Sequence, residues 1–378
     1  MAPGAAIGPP RAGSALESAH YPVLVPNPVL LSDLTTLRLG GPAPDLVTAV
    51  TADEVADAVG AADRAGSGVL VIGGGSNLVI ADAGVDVPVV RIAVQGIRIH
   101  NNGDGSALVT VGAGEDWDTV VAELTEQGFA ELSPLSGIPG STGATPVQNV
   151  GAYGTEIAEM LTSVTVYDRA SGEIRELSAA DLRMGYRTSV LRGTNSAVIV
   201  DVTFRLSAHP VRIRYGELAR RLGVTPGETA PPADVRDAVL ELRRSKGMVL
   251  DPGDPDTCSA GSFFTNPILE PTTAGLVDKQ IRAALGPDVR YPAYPVTGTD
   301  DVKLSAAWLI ENAGFRKGHQ GPGGRVQLST KHTLALTNRG GSTADLLALA
   351  AEVRDGVRSA FGVTLHPEPV LVGVALPD

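Results

Sequence analysis

The stretch VLVIGGGSNLVI, residues 69–80, sets two apolar runs around three consecutive glycines and a Ser76-Asn77 pair. It reads as strand, tight turn, strand, because glycine adopts left-handed backbone angles at little steric cost. Such a turn presents backbone N–H groups. Either those amides cradle a nucleotide phosphate, or the glycines only reverse the chain inside a sheet.

Upstream, DLVTAV (45–50) is extended and Asp53 begins the amphipathic helix DEVADAVGAADRAG, so the glycine stretch closes a small α/β unit. Downstream, VVRIAV from Val89, IRIHNN and ALVTVGAG read as strands. A helix follows at EDWDTVVAELTEQG, whose Val120, Val121 and Leu124 share one face. After a loop-rich segment at 133–155 come the strands SVTVYDR, IRELS and AVIVDVTFRL, making 89–207 a strand-rich α+β region. Beyond residue 210 the pattern changes. Pro231-Pro232 introduces a helix with Val235, Ala238, Val239 and Leu242 facing inward and Gly247 ending it. Further helices are predicted over 301–313 and 342–360, and the terminal VLVGVAL reads as a strand returning to the first unit.

A chain of 378 residues with 43% hydrophobic content is long enough for two or three domains. Its net charge of −12 argues against electrostatic nucleic-acid binding, so an anionic ligand requires a local group of Lys and Arg. The single cysteine, Cys258, excludes an intrachain disulfide, and no Cys/His spacing suggests a metal site. There is no apolar run of membrane-spanning length, and the N-terminal residues lack the pattern of a signal peptide. The expectation is a soluble, cytoplasmic protein with a flexible tail over residues 1–25 and no nucleic-acid or membrane partner.

Common nucleotide signatures fail. In VGAGEDW the third glycine of a dinucleotide fingerprint would fall at Trp117, and neither a G-x-x-x-x-G-K-[ST] loop nor a G-x-S-x-G elbow occurs. The long segment PLSGIPGSTGATPVQNVGAYGTE, residues 134–156, has too little periodicity for a strand or helix. It reads as a functional loop or as an ordered crossover.

VIGGGSNLVI, SGIPGSTGATPVQNVGAYG, GYRTSVLR, AGSFFTNP and LHPEPVLVG occur in the order found in the UDP-N-acetylenolpyruvoylglucosamine reductases, and the resemblance runs from about Thr35 onward. It is a resemblance to the form with a longer, tyrosine-bearing substrate loop. It implies an α+β chain: a two-part FAD-binding fold of the vanillyl-alcohol-oxidase type, then a family-specific substrate domain. The implied divisions are 26–88 with a C-terminal strand at 369–378, then 89–207, then 208–368.

The resemblance implies non-covalent FAD, NADPH as hydride donor, and a UDP-sugar substrate reduced to UDP-N-acetylmuramate for peptidoglycan. Gly73, Gly74, Gly75, Ser76, Asn77 and Leu78 would form one FAD loop. Gly137, Ile138, Pro139, Gly140, Ser141 and Gly143 would form another, with Gln148, Asn149 and Gly151 beyond it. Ser262 looks like the proton donor to the substrate carbon, and Arg187 and Glu368 its electrostatic partners. Tyr153, Tyr215, Lys246, Asn266, Tyr294, Lys317 and His332 match substrate contacts, and they include the local cations that the net charge demands. Pro369 departs from the family's more usual Glu-Val-Arg and leaves the local backbone direction open. The alternatives are a nucleotide-sugar-binding regulatory protein without turnover, which would have lost one of the catalytic trio, and an FAD oxidase, which would lack GSFFTNP and PEP.

Overall fold

The computed structural model describes residues 29–296 and 298–377, and the tail expected at 1–25 lies outside the described residues. Helix α1, Ala52–Ala65, starts where Thr51 accepts a hydrogen bond from the Glu54 amide and stops at Gly66, whose φ of 66° is a left-handed cap. Its buried Val55, Val59 and Ala62 join the main core beside a parallel sheet of three strands. In that sheet Val89–Ile92 lies between Leu46–Ala49 and Leu70–Ile72. The division expected at 88/89 therefore falls inside a sheet. Parallel strands are joined by crossovers, so neighbours in the sheet are distant in sequence.

The glycine stretch makes no hairpin. Leu70–Ile72 belongs to the sheet just described, whereas Leu78–Ile80 pairs in parallel with Val370–Val372. The three glycines thus carry the chain from one sheet to another, and the strand near residue 370 returns as expected.

Helix α2, Trp117–Glu126, is capped by Asp116, which accepts from the Thr119 amide at 2.9 Å. It packs Trp117, Val120, Val121 and Leu124 into a core shared with a five-stranded antiparallel sheet. The strand order there is Glu173–Ser178, Leu161–Asp168, Ala197–Ser207, Ser106–Gly112, Ile97–Asn101. Alternate side chains such as Val109, Val111, Val200, Val202 and Phe204 are buried, each contributing roughly 1.5–3 kcal/mol.

Two helices form a smaller core of their own. Helix α3, Gly216–Leu222, begins directly after Tyr215, and α4, Pro232–Ser245, has proline in its first turn, where a missing N–H costs nothing. Val235, Ala238, Val239 and Leu240 are buried, while Leu242, expected inward, is only half-buried.

Three helices organise the C-terminal part: α5, Pro271–Leu285, α6, Ala306–Asn312, and α7, Thr343–Phe361. The helix expected over 301–313 is shorter. Ser305 caps α6 by accepting from the Trp308 amide, and Val302–Leu304 is a strand between Ile268–Leu269 and Ala293–Pro295. At the start of α7 the amides of Thr343 and Ala344 donate to the Asp82 carboxylate at 2.8 and 3.1 Å. The Thr343 hydroxyl donates to the Ile80 carbonyl at 2.6 Å. Asp82 follows the strand Leu78–Ile80, so α7 is docked on the exit of the glycine loop. The core beneath it joins Phe263, Phe264, Leu346 and Phe361 to Leu37, Leu39 and Val79. Among the described residues no helix is long and apolar enough to cross a membrane, and no cluster could hold a metal ion.

Candidate active site

The two glycine loops meet. The Gly74 amide donates to Ser141 Oγ at 3.3 Å. A Cβ on Gly74 would stand 2.7 Å from the Gly140 Cα, and one on Gly140 would stand 2.5 Å from Ser76 Oγ. Gly75 and Gly140 have φ of 61° and 120°, which an L side chain rarely adopts. The amides of Gly75, Ser76, Gly140 and Ser141 donate to no acceptor among the described residues. Unclaimed donors on backbone lined by glycine and small serine side chains form a cradle that fits a diphosphate.

Residues 137–143 are held rigidly. The Gly137 amide donates to Asp118 Oδ1 at 2.6 Å, the Trp117 amide to the Gly140 carbonyl at 3.0 Å, and the Gly143 amide to the Ala113 carbonyl at 2.9 Å. Ile138 packs on the main core and Pro139 is half-buried. The segment is an ordered crossover whose tip lies against the first loop. Gln148 Oε1 accepts from Asn77 Nδ2 at 2.9 Å, adding a side-chain link between the loops.

Asn149 and Gly151 also hold protein groups. The buried Asn149 side chain donates to Glu156 and to the Gly185 carbonyl and accepts from the Ala158 amide, which leaves it engaged with protein on both ends. The carbonyls of Asn149 and Gly151 accept from the Arg187 guanidinium at 3.5 and 2.5 Å. Besides their expected place at the cofactor, these two residues thus orient Arg187. Asn149, Tyr153 and Arg187 all have left-handed backbone, with φ of 47°, 51° and 53°. Such conformations cost on the order of 1–3 kcal/mol each and cluster where geometry matters more than comfort.

Arg187 Nε lies 3.4 Å from Glu368 Oε1. The Glu368 amide donates to the Phe263 carbonyl at 2.9 Å, and Phe264 forms a bridge with Pro367. The Glu368 turn is thereby fastened beside Ser262, the last residue of the strand Ser259–Ser262. Ser262 is half-buried, and its hydroxyl bonds to no described residue. Pro369 fits because its neighbours supply the donors: Glu368 to Phe263, and Val370 to the Asn77 carbonyl at 2.9 Å. Burial holds the Glu368 carboxyl above the usual carboxylate range, against the opposing pull of Arg187 and Arg192. A cavity of about 270 Å³ opens alongside, lined by Tyr186, Arg187, Arg192, Asn266 and His366 among others.

A second group gathers beyond this one. The Tyr153 and Tyr215 rings meet edge to face at 5.6 Å, and burial pushes the Tyr153 hydroxyl up to about 12. Tyr215 and Tyr294 are both about half exposed and close enough for their charges to interact. Lys246 Nζ is 2.7 Å from Glu217 Oε2. His332 is lowered to about 4 by burial first, then by Lys246 and Lys317, so all three sit together with the imidazole neutral near pH 7. Asn266 Oδ1 accepts from the Ala306 amide at 2.9 Å, fixing it in the cavity wall with Tyr186.

Sequence reasoning missed Arg192, Tyr186 and Glu217. Arg192 lies within the quoted GYRTSVLR, but its spacing from Arg187 matches no helix or strand face. Only the fold of that turn shows the contact.

Residues 254–372 match the family model for the C-terminal domain of UDP-N-acetylenolpyruvoylglucosamine reductase, and residues 44–178 match an FAD binding domain. The reductase of that name from Saccharopolyspora erythraea is 59% identical over 349 residues, covering 92% of this chain and 95% of its own. The chain belongs to the UDP-N-acetylenolpyruvoylglucosamine reductase family. The Thermobifida fusca reductase is 53% identical over 352 residues, covering 92% of this chain and 98% of its own. A crystal structure of the Thermus caldophilus reductase superposes with a TM-score of 0.59 at 25% identity, covering 91% of this chain and 97% of that one. Both glycine loops fall inside the FAD-binding match, and Ser262 and Glu368 fall inside the reductase-domain match. The fold class read from the sequence is thus the observed one. FAD is the cofactor.

Proposed function

We propose that Ser262, Arg187 and Glu368 perform the reductive step of this FAD-dependent UDP-N-acetylenolpyruvoylglucosamine reductase, which converts the enolpyruvyl ether to UDP-N-acetylmuramate for peptidoglycan precursors. FAD bound without a covalent link at the glycine cradle supplies hydride drawn from NADPH. Hydride at the terminal enolpyruvyl carbon leaves negative charge over the adjacent carbon and carboxylate of the substrate. The Arg187 cation and a protonated Glu368 stabilise that charge in a water-poor site. Ser262 Oγ–H gives its proton to the adjacent carbon, completing the saturated lactyl ether.

The observation that supports this reading best is the Arg187–Glu368 pair at 3.4 Å, with the acid raised by burial and fastened next to Ser262. Lys246, Lys317 and neutral His332 take the UDP diphosphate. Tyr215 closes over it as in the longer-loop form, and Tyr153, Tyr294 and Asn266 complete the wall. This assigns 208–368 to the substrate and the preceding segments to the flavin, in a protein working in the cytoplasm.

Anaerobic stopped-flow of Ser262→Ala at the flavin band tests the reading. Bleaching by NADPH should stay near the normal rate, while return of the band on adding the enolpyruvyl substrate slows by about 10²- to 10⁴-fold. A wild-type return would make the serine structural and overturn the assignment.

A further inference from the structure

We infer that Arg192 is the positioning residue of the reductive site, one guanidinium holding the backbones of both Arg187 and Glu368. The inference rests on the roles proposed above for those two residues. Arg192 Nη1 donates to the Arg187 carbonyl at 2.7 Å, and Nη2 reaches the Glu368 carbonyl at 3.4 Å, 176 positions away in sequence. The side chain also lines the cavity that contains Arg187, Tyr186, Asn266 and His366.

The need for such a clamp follows from the backbone. Arg187 has a φ of 53°, a conformation that persists in a non-glycine residue only when its surroundings over-determine it. On one side its guanidinium is caught by the Asn149 and Gly151 carbonyls; on the other its own carbonyl is caught by Arg192. Glu368 is fixed in the same manner, its amide by Phe263 and its carbonyl by Asn77 Nδ2 and Arg192. Arg192 is the one side chain among these that bonds to both members of the pair. A planar guanidinium can do this because its two NH₂ groups diverge at a fixed angle; a lysine ammonium offers a single point.

Arg192 also acts through its charge. The charged and titratable groups that face the Glu368 carboxyl are Arg187, Arg192 and Tyr186, with His366 on the same cavity wall. Removing Arg192 leaves Arg187 as the one remaining cation of that set.

The test compares FAD-loaded, full-length Arg192→Met, Arg192→Lys and Glu368→Gln with wild type in both half-reactions across pH. Arg192→Met should keep its flavin and its NADPH bleaching rate. Its delivery to substrate should fall about 10²-fold, the order expected when reacting groups are misplaced by an ångström. The pH limb supplies a readout that mere structural damage would not move. The protonated acid is the working form, so the delivery rate falls as pH rises through the Glu368 pKa. Arg192 lowers that pKa, so its removal moves the limb to higher pH. Arg192→Lys restores the cation but not the fork, so the limb returns towards wild type while the rate recovers only in part.

An unmoved limb in Arg192→Met, with Glu368→Gln abolishing the wild-type limb, overturns this inference alone. A limb that survives in Glu368→Gln overturns the role of Glu368 and this inference with it. Wild-type delivery by Arg192→Met, or flavin loss from it, also overturns the inference.

Discussion

The backbone amide of Glu368 donates to the carbonyl of Phe263 at 2.9 Å, so the proposed acid and the proposed proton donor Ser262 are set by one inter-segment hydrogen bond. This bond fixes where the Glu368 side chain begins, and its reach to Arg187 then depends on its length. Glu368→Asp, shorter by one methylene, is expected to retain flavin and NADPH oxidation but deliver hydride to substrate about 10²-fold more slowly. Rapid-mixing traces of the flavin band decide the matter, and delivery by Asp at the wild-type rate would contradict it.

Gly74 is the point where the loops touch. A methyl at Gly74, 2.7 Å from the Gly140 Cα, must force the two backbones apart. Gly74→Ala should fold with an unchanged circular dichroism spectrum yet purify with a lower ratio of flavin to protein absorbance. Gly275→Ala, inside α5 where a Cβ meets nothing within 4 Å, should keep its flavin and gain about 0.5–1 kcal/mol. Equal flavin content in the two variants would remove the close approach as an explanation.

His332 makes stability depend on pH in a direction that can be worked out. Its folded value of about 4 lies below the ordinary 6.5, so the unfolded chain takes up the proton first on acidification. Stability from this group is complete above 6.5 and is lost as pH falls towards 4, with a full extent on the order of 3 kcal/mol. Urea unfolding at pH 7 and pH 5 should show a smaller loss for His332→Gln than for wild type. Parallel losses would show that the imidazole is not held neutral.

Lys246 is engaged by Glu217 at 2.7 Å, and a diphosphate would compete for the same ammonium. Lys246→Ala is expected to raise the KM for the UDP-sugar at least tenfold, leaving NADPH bleaching of the flavin untouched and lowering kcat less than KM rises. Glu217→Gln should change KM in the opposite direction. A wild-type KM in Lys246→Ala would remove the lysine from the substrate site.

Local chemistry carried much of the fold. The apolar period and the glycine cap made α1 legible, and Val120, Val121 and Leu124 gave the inward face of α2. The central position of Val89–Ile92 was not legible, because parallel pairing leaves no mark on adjacent residues. Helix α5 escaped notice, and Ser305 as a cap was overlooked within a run that looked uniformly helical. At the site, motif identity singled out Arg187 and Glu368, which the structure pairs, but not the groups that hold them. Nothing in the spacing of Asn149 or Gly151 says that their carbonyls turn towards Arg187, since that depends on left-handed backbone at ordinary side-chain residues.

The pairing of Leu78–Ile80 with Val370–Val372, and of Asn77 with Glu368 across 291 positions, has a consequence for how the protein is made. On the ribosome the first glycine loop emerges early and waits for almost the whole remaining chain before its partner strand exists. Closing so long a loop costs little more than closing a shorter one, but the search delays folding. Until then the strand Leu78–Ile80 lacks its partner Val370–Val372, and Asn77 lacks the Glu368 carbonyl that it contacts. Free FAD, by binding the completed site alone, would pull the last step forward and stabilise newly finished molecules over those still searching.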